Sequence, residues 1–174
     1  PDSGKTEAWY VVESEAGGMI YAGLKPGVDR GALLSAIRAG ACEPCLNAFP
    51  AEPGQCVLLP AGAVHALGAG VLVAEIQQSS DTTYRLFDWN RLGPDGRPRP
   101  LRTEEGIAMI DFSLGPIAPS PPRATERTQV RRLVECDKFI WDRIEIDSPF
   151  SLGGDRRCHV LTVIEGAARL EGDP

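Results

Sequence analysis

This chain of 174 residues has few histidines, fewer basic than acidic residues and no long apolar run. The two histidines, His65 and His159, leave little material for a metal site built mainly of imidazoles. The formal net charge of -6 argues against a duplex nucleic-acid partner, because phosphate neutralisation requires a clustered basic surface. No apolar run approaches the roughly 20 residues that a membrane span requires, and residues 1–10 lack the pattern of a signal sequence. We therefore expect neither a nucleic-acid nor a membrane partner.

The cysteines also exclude a class of protein. There are five, an odd number at irregular spacings, which does not suit the disulfide framework of a secreted domain and favours a reducing cytoplasm. Cys42 and Cys45 satisfy the bare CxxC spacing, but they follow a lone predicted helix and have no second pair. We interpret them as accidental or simply structural.

Short β-prone runs bounded by Gly, Pro, Ser or Asp predict a mainly β sandwich or barrel. The first two runs, 9–12 and 19–24, flank the turn residues 15–18 and read as a hairpin. Three further strands are predicted at 56–60, 70–77 and 82–89.

Two short helices interrupt this pattern. Asp29 is a candidate cap for the helix 29–39, which Gly40 would end. Thr103 is a candidate cap for the helix 103–112, with Ile107, Met109 and Ile110 facing inward. Residues 92–102, rich in Gly and Pro, are expected to form an irregular loop.

Prolines divide the chain. We predict a first domain over 1–114, a Pro-rich linker over 115–127 and the start of a second β unit over 128–174. In the second unit, 131–146 shows partial alternation and 159–172 reads as strand, Gly turn, strand. Both ends of the chain look cut.

Lys5 and Glu7 occupy alternate positions of a predicted strand and should point to the same face. Facing inward, the pair can bind a metal and a sugar oxygen; facing outward, it is an ordinary exposed pair on a sheet edge. Gly4, Lys5 and Thr6 imitate the end of a phosphate-binding P-loop, but the residues that follow read as strand and not as the required helix.

His65, Glu75 and Arg85 recur ten positions apart, each within a short apolar or β-prone run, so three neighbouring strands could bring them together. His65 is either a metal ligand or base at a strand end, or a histidine satisfied by backbone hydrogen bonds. Glu75 shares a face with Val71 and Val73, so it needs a partner and serves either acid/base chemistry or a salt bridge. Arg85 can hold phosphate or an enediolate oxygen, or it covers an aromatic face.

Three segments together resemble the bacterial class I, cupin-type mannose-6-phosphate isomerases: GKTEAWYVV, PAGAVHALGAGVLVAEIQQSSDTTYRLFDWNR and LVECDKFIWDRIEI. The resemblance implies a cupin or jelly-roll fold with short helical insertions, in which 1–114 is the catalytic cupin domain and 128–174 begins a second cupin-like unit. It also implies a zinc-dependent aldose-ketose isomerase that interconverts mannose 6-phosphate and fructose 6-phosphate through a cis-enediol, as a monomer or homodimer.

The resemblance also assigns residues. Glu7 and His65 match two zinc ligands of the family, and a Gln-x-His pair that completes the site is expected upstream of Pro1. The resemblance also points to Lys5, Glu75 and Arg85 as active-site residues, and these are the expected catalytic residues. From the chemistry of the isomerisation we assign Glu75 to proton handling, with His65 and Lys5 as alternative proton carriers. Arg85 is assigned to enediolate or phosphate contact and Lys5 to oxygen or phosphate binding. The main alternative is a non-catalytic cupin-like module that binds or senses sugars. A metal-dependent oxygenase ranks third, because that class uses more histidines.

Overall fold

The computed structural model describes residues 4–172 and confirms the mainly β fold with antiparallel strands. The elements within these residues, in chain order, are β1 (Glu7–Ser14), β2 (Met19–Leu24), α1 (Arg30–Arg38), a 3₁₀ turn (Glu43–Cys45), β3 (Leu46–Pro50), β4 (Cys56–Leu59), β5 (His65–Leu67), β6 (Val71–Gln77), α2 (Thr103–Met109), β7 (Arg123–Ala124), β8 (Val130–Glu135) and β9 (Ile140–Ile144). No helix of this part of the chain combines the length and apolar character that crossing a membrane demands.

The strands form three small sheets. The first sheet has the order β4-β1-β6, the second β3-β2-β5 and the third β7-β8-β9. The first and second sheets face each other, and the side chains between them form the main core. Its buried members are Trp9, Val11, Ile20, Ala22, Ala51, Val57 and Leu59. The period-2 alternation of β1 and β6 therefore directs one face of each strand into this core.

The predicted hairpin between the first two runs is wrong. Both edges of β1 are occupied, one by β4 and the other by β6, whereas β2 pairs with β3 and β5. The turn at 15–18 therefore carries the chain from one sheet to the other, and β1 and β2 meet face to face across the core. Composition signals a turn, but it does not reveal which edges the flanking strands will find.

The strand predicted at 82–89 is also absent, because this segment is irregular. Its carbonyl groups bond to the start of α2 and not to a neighbouring strand. The amide of Arg102 donates to the carbonyl of Arg85, and the hydroxyl of Thr103 donates to the carbonyl of Leu86. The β-prone composition of this run predicted a strand, but its backbone acceptors are used by a segment about 17 residues away in sequence.

The helix predictions are mostly confirmed. Asp29 caps α1 by accepting a hydrogen bond of 2.8 Å from the amide of Ala32, and Gly40 follows with a φ of 71°. Thr103 is not the cap of α2, since Arg102 takes that position and the Thr103 hydroxyl serves Leu86. Ile107 is buried as predicted, whereas Met109 is exposed because α2 ends there and turns its last residue outward.

The third sheet covers the outer face of the first. Leu133 and Val134 of β8 pack against Ala8, Tyr10 and Cys56. The strands expected at 159–172 do not form: these residues are exposed, and no strand in the described part of the chain lies beside them to share backbone hydrogen bonds. The division into domains at 115–127 stays a prediction.

Residues 115–120 form a seam between the two facing sheets. The amide of Leu24 donates to Gly115, that of Ile117 to Ala22 and that of Ser120 to Cys56. The side chain of Asn47 donates to the carbonyls of Ala22 and Ile117 at 3.0 and 2.8 Å. This prolyl segment is therefore extended, as predicted, but it is bonded along its length.

Gly23 is the tightest point of the seam. Its φ is 75°, and a Cβ placed there would lie 2.1 Å from the carbonyl oxygen of Gly115. Backbone in this position cannot move away without breaking the seam, so only glycine fits.

We predict that Gly23→Ala lowers the free energy of unfolding by about 2–4 kcal/mol, because it adds a clash with backbone to left-handed strain. Gly17→Ala is the matched control: its φ is 84°, but a Cβ there meets nothing within 4 Å, so about 1 kcal/mol is expected. Urea denaturation measures the free energy of unfolding of both variants. Equal losses of stability would contradict the close packing of Gly23 against the seam.

Candidate functional site

Four of the five predicted site residues meet at one end of the space between the facing sheets. Glu7 on β1 and Glu75 on β6 come from the first sheet, Lys5 precedes β1, and His65 begins β5 of the second sheet. Lys5 forms ion pairs with both glutamates, and the imidazole of His65 contacts Glu7. We call these four residues the polar cluster.

Glu7 forms the base of the polar cluster, with 1% of its side chain exposed. Lys5 contacts its Oε2, and Nε2 of His65 lies 2.6 Å from its Oε1. Burial alone would raise the pKa of Glu7, but hydrogen bonding and charge attraction from His65 and then from Lys5 outweigh it and lower the pKa to about 2. These neighbours therefore favour the ionised form of Glu7.

The imidazole of His65 is oriented by the backbone. Its Nδ1 lies 2.9 Å from the carbonyl oxygen of Ala63, and in the neutral ring a proton on Nδ1 leaves the lone pair on Nε2. That lone pair then faces Oε1 of Glu7, a second electron-pair donor. The contact requires a proton or a metal cation between the two atoms.

The pair has the features of two metal ligands. Apart from the contacts of Lys5 and His65, neither buried carboxylate oxygen of Glu7 has a hydrogen-bond partner among the described residues. A ligating histidine commonly donates its other ring N–H to a backbone carbonyl, as His65 does to Ala63. One imidazole nitrogen and one carboxylate suit zinc. Within residues 4–172 no three His, Cys, Asp or Glu side chains gather into a complete metal site, so the described residues fit part of one.

Glu75 lines the more open side of the polar cluster, with 38% of its side chain exposed. Its Oε1 lies 3.5 Å from Nζ of Lys5. Burial, and after it the neighbouring charge of Glu7, raises the pKa of Glu75 above its ordinary value, while Lys5 and Trp9 oppose the rise. Two carboxylates on one wall thus differ in proton affinity.

Arg85 is the predicted residue that the described contacts do not join to the polar cluster. It lies in the irregular segment 82–89, and its guanidinium donates to the carbonyl of Pro100 at 3.3 Å. Its role in the site stays a prediction. The equal spacing of His65, Glu75 and Arg85 predicted three neighbouring strands. His65 and Glu75 do lie on strands, β5 and β6, but Arg85 lies in an irregular segment.

Trp9 is a residue beside the site that the sequence reading did not single out. It follows Lys5 and Glu7 at the same interval of two, pairs across the sheet with Glu75, and packs its ring perpendicular to that of His65 at 5.2 Å. The alternation 5, 7, 9 was the signal that could have found it.

Two other sequence motifs have no part in the contacts of the polar cluster. The residues after Thr6 form β1 and not a helix, which excludes the P-loop reading. Cys42 and Cys45 are free thiols on a 3₁₀ turn, and burial is the main cause that raises the pKa of Cys42 to about 11. A thiol of that pKa is a poor nucleophile.

Asp88 anchors the loop that follows Arg85. Its buried carboxylate accepts two hydrogen bonds from Arg99, one of them 2.7 Å long, and one of 2.8 Å from Arg91. Trp89 and Asn90, directly after it, adopt positive φ angles of 48° and 56°, a strained conformation for residues with a Cβ. The ion pairs of Asp88 hold this strained turn in place.

The comparisons with known proteins agree on one kind of relative. No family model matches the sequence. The chain is 31% identical over 173 residues to mannose-6-phosphate isomerase ManA of Bacillus subtilis, covering 96% of this chain and 53% of that protein. It is 37% identical over 169 residues to the mannose-6-phosphate isomerase of Streptococcus mutans, covering 96% of this chain and 52% of that protein. The chain thus spans about half the length of these relatives.

A solved structure agrees with the sequences. The crystal structure of the mannose 6-phosphate isomerase from Bacillus subtilis superimposes with a TM-score of 0.73 at 28% identity, over 82% of this chain and 46% of that one. This similarity confirms the predicted cupin-type fold class.

The anchor at Asp88 predicts a pH-dependent stability. Hydrogen bonds from Arg99, and to a lesser extent Arg91, lower the pKa of Asp88 to about 2 against the effect of burial. A carboxyl in an unfolded chain has a pKa of about 3.9, so the ionised anchor stabilises the fold above that pH and loses its effect as the pH falls towards 2.

We expect Asp88→Asn to lower the free energy of unfolding by about 1–3 kcal/mol at pH 7, and the difference from the wild type to shrink below pH 4. Urea denaturation at pH 7 and at steps down to pH 3 measures this. Asp81→Asn, at an exposed position, is the control. A loss at pH 7 no larger than that of the control would contradict the anchor.

Proposed function

The chain is homologous to the cupin-type mannose-6-phosphate isomerases along nearly its whole length, and on that premise we propose that the protein carrying it interconverts mannose 6-phosphate and fructose 6-phosphate. The observation that carries the proposal is the convergence of Lys5, Glu7, His65 and Glu75 between the facing sheets. These four residues would provide a proton carrier, a cation and two of the metal ligands, and their mutual contacts support the proposal.

Glu75 is the proposed proton carrier. Moving the carbonyl between C1 and C2 requires a base that takes the proton from C2, giving a cis-enediolate, and returns it to C1, while the hydroxyl proton of O2 moves to O1. Burial is the main cause that raises the pKa of this carboxylate, which makes it a better base than an ordinary glutamate. Its partial exposure leaves it accessible to the sugar.

Glu7 and His65 are the proposed zinc ligands within this chain, and the remaining ligands are proposed to come from a Gln-x-His pair that precedes Pro1. Bound zinc supplies a Lewis acid that orients and polarises the sugar oxygens. The buried carboxylate of Glu7 and the oriented Nε2 of His65 support this assignment.

Lys5 and Arg85 are the proposed cations of the site. Lys5 already lies against both carboxylates, so it can hold a sugar oxygen beside the proton carrier. Arg85, half-buried next to the anchored loop, is proposed to contact the enediolate or the phosphate, for which a planar guanidinium is suited.

The decisive experiment is a coupled assay that measures fructose 6-phosphate formed from mannose 6-phosphate by the whole protein that contains this chain. We expect turnover that a chelator abolishes and added zinc restores, with elemental analysis giving about one zinc per protein. Glu7→Gln should lower that metal content, because it removes a charged ligand.

A non-catalytic sugar-binding module would behave differently. It would bind fructose 6-phosphate in calorimetry but would form no product at any metal concentration. That result, or turnover insensitive to chelator, would contradict the zinc isomerase proposal.

Glu75→Gln tests the proton carrier. The amide keeps the size of the side chain but cannot accept the proton from carbon, so kcat should fall by about 10²- to 10⁴-fold. Zinc content should stay unchanged, because Glu75 is not a proposed ligand.

Glu13→Gln is the matched control, since Glu13 lies on β1 as an exposed residue outside the polar cluster. It should retain full activity. Full turnover by Glu75→Gln with zinc bound would exclude Glu75 as the proton carrier.

A further inference from the structure

Trp9 joins the core to the polar cluster. Its ring packs in the main core between the facing sheets, and 7% of the residue is exposed. On β1 it follows Glu7 on the same face, and its register partner on β6 is Glu75. Trp9 therefore stands between the proposed proton carrier and the apolar interior.

The indole N–H of Trp9 is a buried donor without a hydrogen-bond partner among the described residues. Indole nitrogen donates only, and buried donors in proteins are nearly always paired. Trp89 shows the ordinary situation in this same chain, since its N–H donates to Glu43 at 3.3 Å. The unpaired indole N–H of Trp9 therefore needs an explanation.

The carboxylate of Glu75 is the acceptor that the surroundings offer. The two residues are directly paired across β1 and β6. Burial and Glu7 raise the pKa of Glu75, and the indole N–H of Trp9, after Lys5, is among the groups that lower it. Side chains of directly paired residues lie on the same face of a sheet, with Cβ atoms about 4.5–5.5 Å apart, so the carboxylate is within reach of the indole N–H, although no hydrogen bond joins the two groups.

The ring of Trp9 has a separate contact. It meets the imidazole of His65 edge to face, with an interplanar angle of 88°. Removing the whole side chain would therefore disturb His65 and the core as well, and would not isolate the N–H.

We propose that Trp9 is a positioning residue for Glu75, whose indole N–H aligns with one carboxylate oxygen when the sugar phosphate binds and so turns the other oxygen towards the reacting carbon. The inference rests on the proposed function in one respect, that Glu75 handles the proton. It adds a residue that fixes the direction from which the proton is taken.

The test is to replace Trp9 with 3-benzothienylalanine by genetic code expansion. This analogue has sulfur where indole has N–H, so it keeps the shape, the core packing and the contact with His65 but removes the donor. We expect kcat to fall by about 10- to 100-fold, as for a lost hydrogen bond to a charged group. KM and the midpoint of thermal unfolding should stay close to those of the wild type.

The same analogue at Trp89 is the matched control, because that N–H serves Glu43 outside the polar cluster, and kcat should not change. A Trp9 analogue with unchanged kcat, or one whose only defect is a lower unfolding midpoint, would overturn the inference. A wild-type protein without isomerase turnover would instead overturn the proposed function itself, and with it the role given to Trp9, so the two failures are distinguishable.

Discussion

The fold and the site both depend on the buried carboxylate of Glu7 and on the two positive or metal-binding groups that face it. A buried anion is tolerated only when it is paired. Lys5 directly precedes β1, the central strand of the first sheet, but His65 comes from the second sheet, so the interaction spans the sandwich. Any change that separates the two sheets, at the seam near Gly23 for example, also separates the groups that neutralise Glu7.

The sequence predicted which side chains of the first sheet share a face, because the alternation of side chains along a strand is a local property. Alternation put Val71, Val73 and Glu75 on one face of β6. Val71 and Val73 pack against the main core, and Ala74 and Ile76, on the other face, pack against the cluster that the third sheet covers. Lys5 and Glu7 share a face for the same reason. The resemblance to a known family contributed what alternation cannot, namely which of several polar residues belong together.

The failures have a common physical cause, which is that long-range hydrogen bonds decide what a locally β-prone segment becomes. β1 and β2 look like a hairpin, yet each finds both of its partners elsewhere. The segment containing Arg85 looks like a strand, yet residues near α2 take its carbonyls. The strained turn after Asp88 could not be predicted either, because it persists through ion pairs with Arg91 and with the more distant Arg99. Local pattern predicts that a segment is extended, and only the partner determines whether it is a strand.

The two glutamates of the polar cluster differ in pKa because their side chains are buried to different depths, beside different neighbours. Glu7 and Glu75 are side chains of the same type on neighbouring strands, but Glu7 lies at the base against His65 and Lys5, whereas Glu75 lies at the open side with Lys5 at a longer distance. Their pKa values are accordingly pushed apart, Glu7 downward and Glu75 upward. Two carboxylates separated in this way can take two roles, one as a fixed anion and one as a group that gains and loses a proton. If the anion at the base were neutralised more completely, by a cation held between Glu7 and His65, its raising effect on Glu75 would weaken. The proton affinity of the proposed base would then be coupled to the cation that lies between Glu7 and His65.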